Sequence, residues 1–245
     1  MSLLERLLDW VYPPTCIACA QMIPMHQKQP RHLGLCHHCQ GLFEPILPPH
    51  CQRCGQPVAT ALNTCAACFG KTLHFTSSRG TFLYADVMQD LLRELKFRQN
   101  KKVAHSLGKL WALHIGQDIN IAPNTTLVPL PLHPRKQRER GFNQAEILAK
   151  HIAPALNLTV ENTLIRTIDT PPQSGLHPRE RVENVANAFA LAKGVDVAGK
   201  SYVLVDDIYT TGASLSECAK ILLNAGAVGV DALCLTVVEK RKDKA

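Results

Sequence analysis

Tyr202–Ser214 reads YVLVDDIYTTGAS. Tyr202 to Val205 form a continuous apolar run, the pattern of a parallel strand buried on both faces. Asp206 and Asp207 follow at its carboxyl end. A hydroxyl-rich turn, Thr210-Thr211-Gly212-Ala213-Ser214, then leads into a helix-like run, LSECAKILLNAGA. In an open α/β sheet, ligands sit outside the carboxyl ends of the strands. A turn that opens a helix presents unpaired N–H groups and the positive end of the helix dipole, which suit a phosphate. The segment therefore predicts a phosphate cradle beside two acids able to hold sugar hydroxyls or a hydrated Mg²⁺. An ordinary strand–turn–helix, with the acids capping the turn, is the simpler alternative. A G-x-x-x-x-G-K-[ST] match does occur, GVDVAGKS at residues 194–201, but it precedes the apolar run Tyr202–Val205 and does not lead from a strand into a helix, so it does not read as a P-loop; no G-x-G-x-x-G follows a strand.

The 245 residues suffice for one sizeable domain and one small one, and 46% hydrophobic with 19% charged residues is an ordinary globular composition. No stretch approaches the roughly 18 consecutive apolar residues of a membrane span. The opening LLERLLDWV is too short and too charged for a signal-peptide core and reads as a short amphipathic helix, so a cytoplasmic protein is expected. The formal net charge of +7 is unevenly placed. Arg135, Lys136, Arg138 and Arg140 cluster against Glu139 alone, and Lys240, Arg241, Lys242 and Lys244 form a basic tail. Such clusters suit a diphosphate, a nucleotide or a nucleic-acid backbone.

Ten cysteines are many for a cytosolic chain, and eight of them form four C-x-x-C pairs: Cys16/Cys19, Cys36/Cys39, Cys51/Cys54 and Cys65/Cys68. This is zinc-ribbon spacing, and it predicts two structural Zn²⁺ sites. A disulfide framework would need an oxidising compartment, and a redox pair would need only one motif. Sequential pairing (16/19 with 36/39, 51/54 with 65/68) is the simplest, while an interleaved pairing stays open. With four thiolates available to each site, the nearby His26, His32, His37, His38 and His50 are expected at the surface. Cys218 and Cys234 are expected as buried thiols.

Residues 1–75 thus hold a leading helix, ended by Pro13-Pro14, and the cysteine-rich module. Residues 76–245 alternate strand and helix, which predicts an α/β domain with a mostly parallel sheet and flanking helices. Strands are expected at 80–84, 126–132, 202–205 and 230–238. Helices are expected at 86–97, 103–113, 142–156, 179–189 and 214–225. VPLPLHPRKQRERGFNQ (residues 128–144) can bring cations and backbone N–H groups to one point at a strand end. RTIDTPPQSGLHPRER (residues 166–181) reads as a long exposed loop, with Gln173, Arg179 and Arg181 as candidates for closing over a ligand.

The strand–DD–TTGAS segment resembles the PRPP-binding motif of type I phosphoribosyltransferases. That resemblance implies that Asp206 and Asp207 take the ribose 2′- and 3′-hydroxyls, as the catalytic acids. Thr210, Thr211, Gly212, Ala213 and Ser214 would wrap the 5′-phosphate. Pro131–Lys136 would stand at the pyrophosphate loop, with Arg135 and Lys136 on the diphosphate. Arg138 and Arg140 would belong to a mobile loop or to the start of the next helix. The order of the C-x-x-C module, LKF, PLHPRKQRERGFNQ, QSGL and VDDIYTTGAS resembles the competence protein F (ComF/GntX-like) family over essentially the whole chain. The family implies a double zinc ribbon on a type I phosphoribosyltransferase-like domain, with Mg²⁺ accompanying PRPP. It also implies a role in natural transformation, with single-stranded DNA and other competence proteins as partners. Tyr209 is bulkier than the aliphatic residue usual there, and Ser214 lacks the methyl group of a threonine.

Two functions remain open on the sequence. In one, the domain transfers phosphoribosyl groups from PRPP in nucleotide metabolism, without a DNA role. In the other, it binds PRPP or a ribose-5-phosphate-containing nucleotide while ribbons and basic loops contact single-stranded DNA. Aromatic residues are only 5% of the chain, which leaves few stacking platforms. Phe97 and Phe142, beside basic residues, are the candidates.

Overall fold

The computed structural model describes residues 13–24, 33–60, 64–115, 121–122, 124–170, 180 and 184–239. The expected leading helix, His26, His32, Gln173, Arg179, Arg181 and the basic tail lie outside these residues. A short helix α1 (His37–Gln40) precedes the sheet domain, which runs β1 (Ser78–Leu83), α2 (Asp86–Phe97), α3 (Lys101–His114), β2 (Thr125–Pro129), α4 (Pro134–Arg140), α5 (Gln144–Leu156), β3 (Thr159–Val160), β4 (Leu164–Arg166), β5 (Phe189–Leu191), β6 (Ser201–Tyr209), α6 (Ala213–Asn224) and β7 (Gly229–Val237).

Five strands form one parallel sheet in the order β1-β7-β6-β2-β3. β6 lies at its centre, which is why its apolar run is unbroken. Side chains of successive residues leave opposite faces, and the packing follows that period. Leu127, Val203, Val205, Leu233 and Leu235 join α2, α3 and α5 on one face. Val128, Tyr202, Leu204, Ala232 and Cys234 join α6 on the other. Cys218 and Cys234 are buried thiols, as expected.

The direction of the crossovers places the site. From β2 the chain passes through α4 and α5 to β3 at one edge; from β6 it passes through α6 to β7 on the opposite side. The connections therefore diverge between β2 and β6, and the crevice outside the carboxyl ends of these two strands is the topological switch point where open α/β sheets bind ligands. The basic run follows β2 and the TTGAS turn follows β6.

The cysteine module is divided between the faces. Cys16, Cys36 and Cys39 pack with α2 and α3, whereas Cys51, Cys54, Cys65 and Cys68 pack with α6. Between the two halves the chain runs along the edge strand β1. Ile46 N–H donates to Thr81 O at 2.9 Å and Leu83 N–H donates to Glu44 O at 2.8 Å. Gly55 permits the second half to touch β1, since a Cβ there would lie 2.8 Å from Ser78 O.

Four sequence expectations are corrected. The basic run is a seven-residue helix, α4, closed by Gly141 in the left-handed conformation, and not a loop. β6 continues through both aspartates to Tyr209. Phe189 opens β5, which pairs antiparallel with β4, so the helix expected over 179–189 does not reach it. Phe142 is buried at the start of α5 and offers no stacking face.

Candidate functional site

Asp206 and Asp207 leave opposite faces at the end of β6, and this decides their chemistry. Asp207 is buried on the α2 face, where Lys96 Nζ meets its Oδ2 at 2.5 Å. Asp206, on the α6 face, accepts the Asp207 N–H at 2.8 Å through Oδ1. Burial and the adjacent Asp207 push the Asp206 carboxyl well above the usual carboxylate range. Burial opposes ionisation of Asp207 too, but Lys96, the contact with Asp206 and the Arg140 charge outweigh it and hold that carboxyl below its ordinary value. The pair is thus one fixed carboxylate and one that takes up a proton readily.

The turn after β6 is compact. Gly212 has φ +79° and is the N-cap of α6, where it brings no side chain of its own. Ala213 N–H donates to Thr211 Oγ1 at 3.3 Å. Thr211, Gly212 and Ala213 are buried, while Thr210 and Ser214 are half-buried. The crevice above them, ≈ 30 Å³, is lined by Asp206, Ile208, Tyr209, Thr210 and the start of α6. A larger hollow of ≈ 550 Å³, between Ile17, Ala18 and the α2 residues Val87, Leu91 and Phe97, shares no lining residue with the turn.

The basic residues divide into three groups. Arg140 is half-buried, donates to Gln144 Oε1 at 2.5 Å and feels the Asp207 charge. Arg135 and Lys136 converge on Asp169, at 3.4 Å and 3.6 Å, and His133 Nδ1 lies 3.8 Å from the same carboxylate. Lys136 Nζ also donates to Thr170 O at 2.6 Å. Arg138 is exposed. Arg140 thus lies within electrostatic reach of Asp207, while Arg135 and Lys136 already hold an anion supplied by the chain itself.

Sequence reasoning missed Lys96, Asp169, Arg166 and Asn143 as site residues. Lys96 was visible only inside LKF, with nothing to indicate its partner. Asp169 is one of two acids, with Glu180, in an otherwise basic and proline-rich segment. Arg166 stacks over Phe189 at 5.2 Å and bonds the Thr170 hydroxyl. Asn143 is buried and opens α5: its Oδ1 accepts the Ala145 N–H at 3.0 Å and its Nδ2 donates to Leu130 O at 2.9 Å, which fixes α5 to the end of β2.

The cysteines form two four-thiol clusters, Cys16/Cys19/Cys36/Cys39 and Cys51/Cys54/Cys65/Cys68, with all sulfurs of a cluster within 4.8 Å of one another. This is the sequential pairing. A tetrahedron of Zn–S bonds near 2.3 Å places sulfurs about 3.8 Å apart. The Cys19–Cys36 and Cys54–Cys65 sulfurs lie 3.8 Å and 3.7 Å apart. Backbone N–H groups also point at the sulfurs, from Cys39 to Cys36 at 3.5 Å and from Cys65 to Cys51 at 3.3 Å. Both sets fit a structural Zn²⁺, which would supply folding energy and no chemistry. No histidine among the described residues joins either cluster; His37 and His38 are exposed, and His50 is half-buried.

Residues 7–69 match the double zinc ribbon domain family. Overlaps with solved phosphoribosyl enzymes are partial. A Bacillus subtilis glutamine PRPP amidotransferase covers 54% of this chain and 26% of its own at 23% identity and a TM-score of 0.34. A Staphylococcus aureus hypoxanthine phosphoribosyltransferase covers 54% and 61% at 11% identity and a TM-score of 0.33. Overlaps this partial bear on neither ligand nor reaction. Relatives that match most of the chain are closer in sequence. The competence protein F of Haemophilus influenzae is 27% identical over 79% of this chain and 86% of its own. The competence protein ComFC of Bacillus subtilis is 28% identical over 78% and 79%. The DNA utilization protein YhgH of Escherichia coli K12 is 30% identical over 83% of this chain and 90% of its own. The chain belongs to this family of DNA utilization and competence proteins.

Proposed function

We propose that the switch-point crevice binds a ribosyl 5-phosphate ligand, PRPP or a nucleotide carrying the same group, in a type I phosphoribosyltransferase-like domain. The observation that carries the reading is the juxtaposition of a helix start, a hydroxyl-rich turn and an acid pair at the carboxyl end of the central strand. In this reading the amides and hydroxyls of Thr210–Ser214 take the 5′-phosphate, and Asp206, which lines the crevice, takes ribose hydroxyls, while Asp207 stays paired with Lys96 behind it. Arg135, Lys136 and Arg140 face the diphosphate. Arg138, exposed one turn along, contributes to the field or to a longer polyanion. Mg²⁺ suits this donor set only loosely, because Asp207 is committed to Lys96. The ion would ride on the diphosphate, keeping its waters, with Asp206 as an outer contact.

We further propose that the protein uses this site within DNA handling. The names of the relatives, the basic face of α4 and exposed Phe97 between Lys96 and Arg98 support contact with single-stranded DNA, by cations on phosphates and an aromatic on a base. Protein partners from a competence machinery follow from the same relatives. Phosphoribosyl transfer to an acceptor is the enzymatic form of the same site. Calorimetric titration with PRPP·Mg²⁺ separates these readings from none at all. Saturable binding in the wild type that is lost in the Asp206→Ala/Asp207→Ala variant supports the ligand site. Equal heat in the two proteins removes it. Release of pyrophosphate only when a nucleobase is added would establish turnover.

A further inference from the structure

The second zinc ribbon backs the phosphate turn directly. Tyr209, bulkier than the aliphatic residue usual in the motif, is buried in the same apolar cluster as Cys51, Cys54, Cys65, Cys68 and Phe75. Phe75 meets its ring edge-on, with centroids 6.4 Å apart and an interplanar angle of 84°. The other end of Tyr209 lies against Gly212: a Cβ there would be 2.7 Å from the phenolic oxygen and 3.1 Å from Cζ. A second contact runs beside the first. Ser216 Oγ accepts the His74 N–H at 3.1 Å and lies 3.0 Å from His74 Nδ1, and Ser216 N–H donates to Gly212 O at 2.8 Å in the first turn of α6. Arg53, between two cysteine ligands, donates to Leu73 O at 3.0 Å and so ties the 73–75 segment to the metal knuckle. The first ribbon packs on the opposite face of the sheet and has no part in these contacts.

We infer that His74, Phe75 and Tyr209 are positioning residues through which zinc at the Cys51/Cys54/Cys65/Cys68 cluster sets the geometry of the phosphate turn. Zinc at the second ribbon raises affinity for the ribosyl phosphate, and zinc at the first does not. The inference rests on the ligand reading above. Linkage makes it reciprocal: a ligand that is held better when the second zinc is present must itself hold that zinc better.

The test uses the zinc-loaded full chain and follows zinc release to a chromogenic chelator, with and without saturating ribose 5-phosphate, whose binding is first checked by calorimetry. The release phase missing from a Cys51→Ser variant belongs to the second ribbon. Ribose 5-phosphate is expected to slow that phase at least threefold and to leave the other unchanged. Ser216→Ala retains all eight thiolates and removes only the hydroxyl link; it is expected to abolish most of the slowing. Phe75→Leu, which also retains the ligands, is expected to act in the same direction. Binding in the wild type with neither phase slowed, with both slowed equally, or with full slowing in Ser216→Ala overturns the inference while leaving the ligand site standing. No binding in the wild type overturns both.

Discussion

Asp206 and Asp207 are neighbours in sequence that face different environments, and their stabilities should diverge with pH. The Asp206 carboxyl is raised in the folded chain. Between the ordinary value near 4 and its raised folded value, the unfolded chain releases a proton that the folded chain keeps, so stability falls as pH rises through that window. Asp206→Asn removes this loss. Its urea midpoint at neutral pH should exceed that of the wild type, while affinity for the ribosyl ligand falls by about tenfold or more, the scale of a lost charge-assisted hydrogen bond. A variant less stable than wild type at neutral pH would contradict the assignment. Asp207 has the opposite sign. Its folded carboxyl is depressed, so its contribution is present above about pH 4 and is lost as pH falls through the folded value. Lys96→Met leaves that buried carboxylate without its cation and should cost about 3–5 kcal/mol, read by the same unfolding experiment. A change below about 1 kcal/mol would show that Lys96 is not the group holding the charge.

At the scale of elements, α4 and the segment after β4 interlock through Asp169. Because Arg135 and Lys136 already share that carboxylate, a diphosphate must displace it. Asp169→Asn should raise affinity for a diphosphate-bearing ligand up to about fivefold, since partly exposed ion pairs are worth ~0.2–1 kcal/mol. Weaker binding would mean that Asp169 orders the cations and does not compete for them. This element also shows where sequence reading stops. β6, α2 and α6 were legible because burial writes a period into the chain. α4 buries none of its residues, so it carries no apolar period and its charges read as a loop. β4 and β5 are three residues each and pair across a long intervening segment, too short for alternation to register. The acid pair was legible as two acids, but its asymmetry was not. That depends on α2 delivering Lys96 to one face of β6, a tertiary fact with no local signature.

For the molecule as a whole, the two ribbons are parts of the sheet's two cores rather than appendages. Each thiol cluster packs among residues that also cover the central strands. Purified chain should carry two zinc ions by elemental analysis, and a strong chelator should lower the melting temperature of the whole α/β domain in one cooperative step. Ribbon loss with an unchanged domain transition would show that the module folds separately. No helix among the described residues is long and apolar enough to cross a membrane. The chain's +7 formal charge should instead appear as a steep salt dependence of single-stranded DNA affinity. That slope should shrink by about one unit for each phosphate-contacting cation removed, such as Arg138→Ala, and should be insensitive to Asp206→Asn.

The central claim is that the Thr210–Ser214 turn holds a ribosyl 5-phosphate. Gly212 is where that claim is most exposed, because any Cβ there meets Tyr209 and the left-handed backbone disfavours it. The most direct measurement is calorimetric titration of the zinc-loaded chain with ribose 5-phosphate and with ribose, in wild type and in Gly212→Ala, after circular dichroism has confirmed that the variant is folded. The account requires saturable one-to-one heat with ribose 5-phosphate in the wild type, none with ribose, and at least a tenfold loss of affinity in Gly212→Ala. Equal binding of ribose 5-phosphate by both proteins, or none by the wild type, would contradict it.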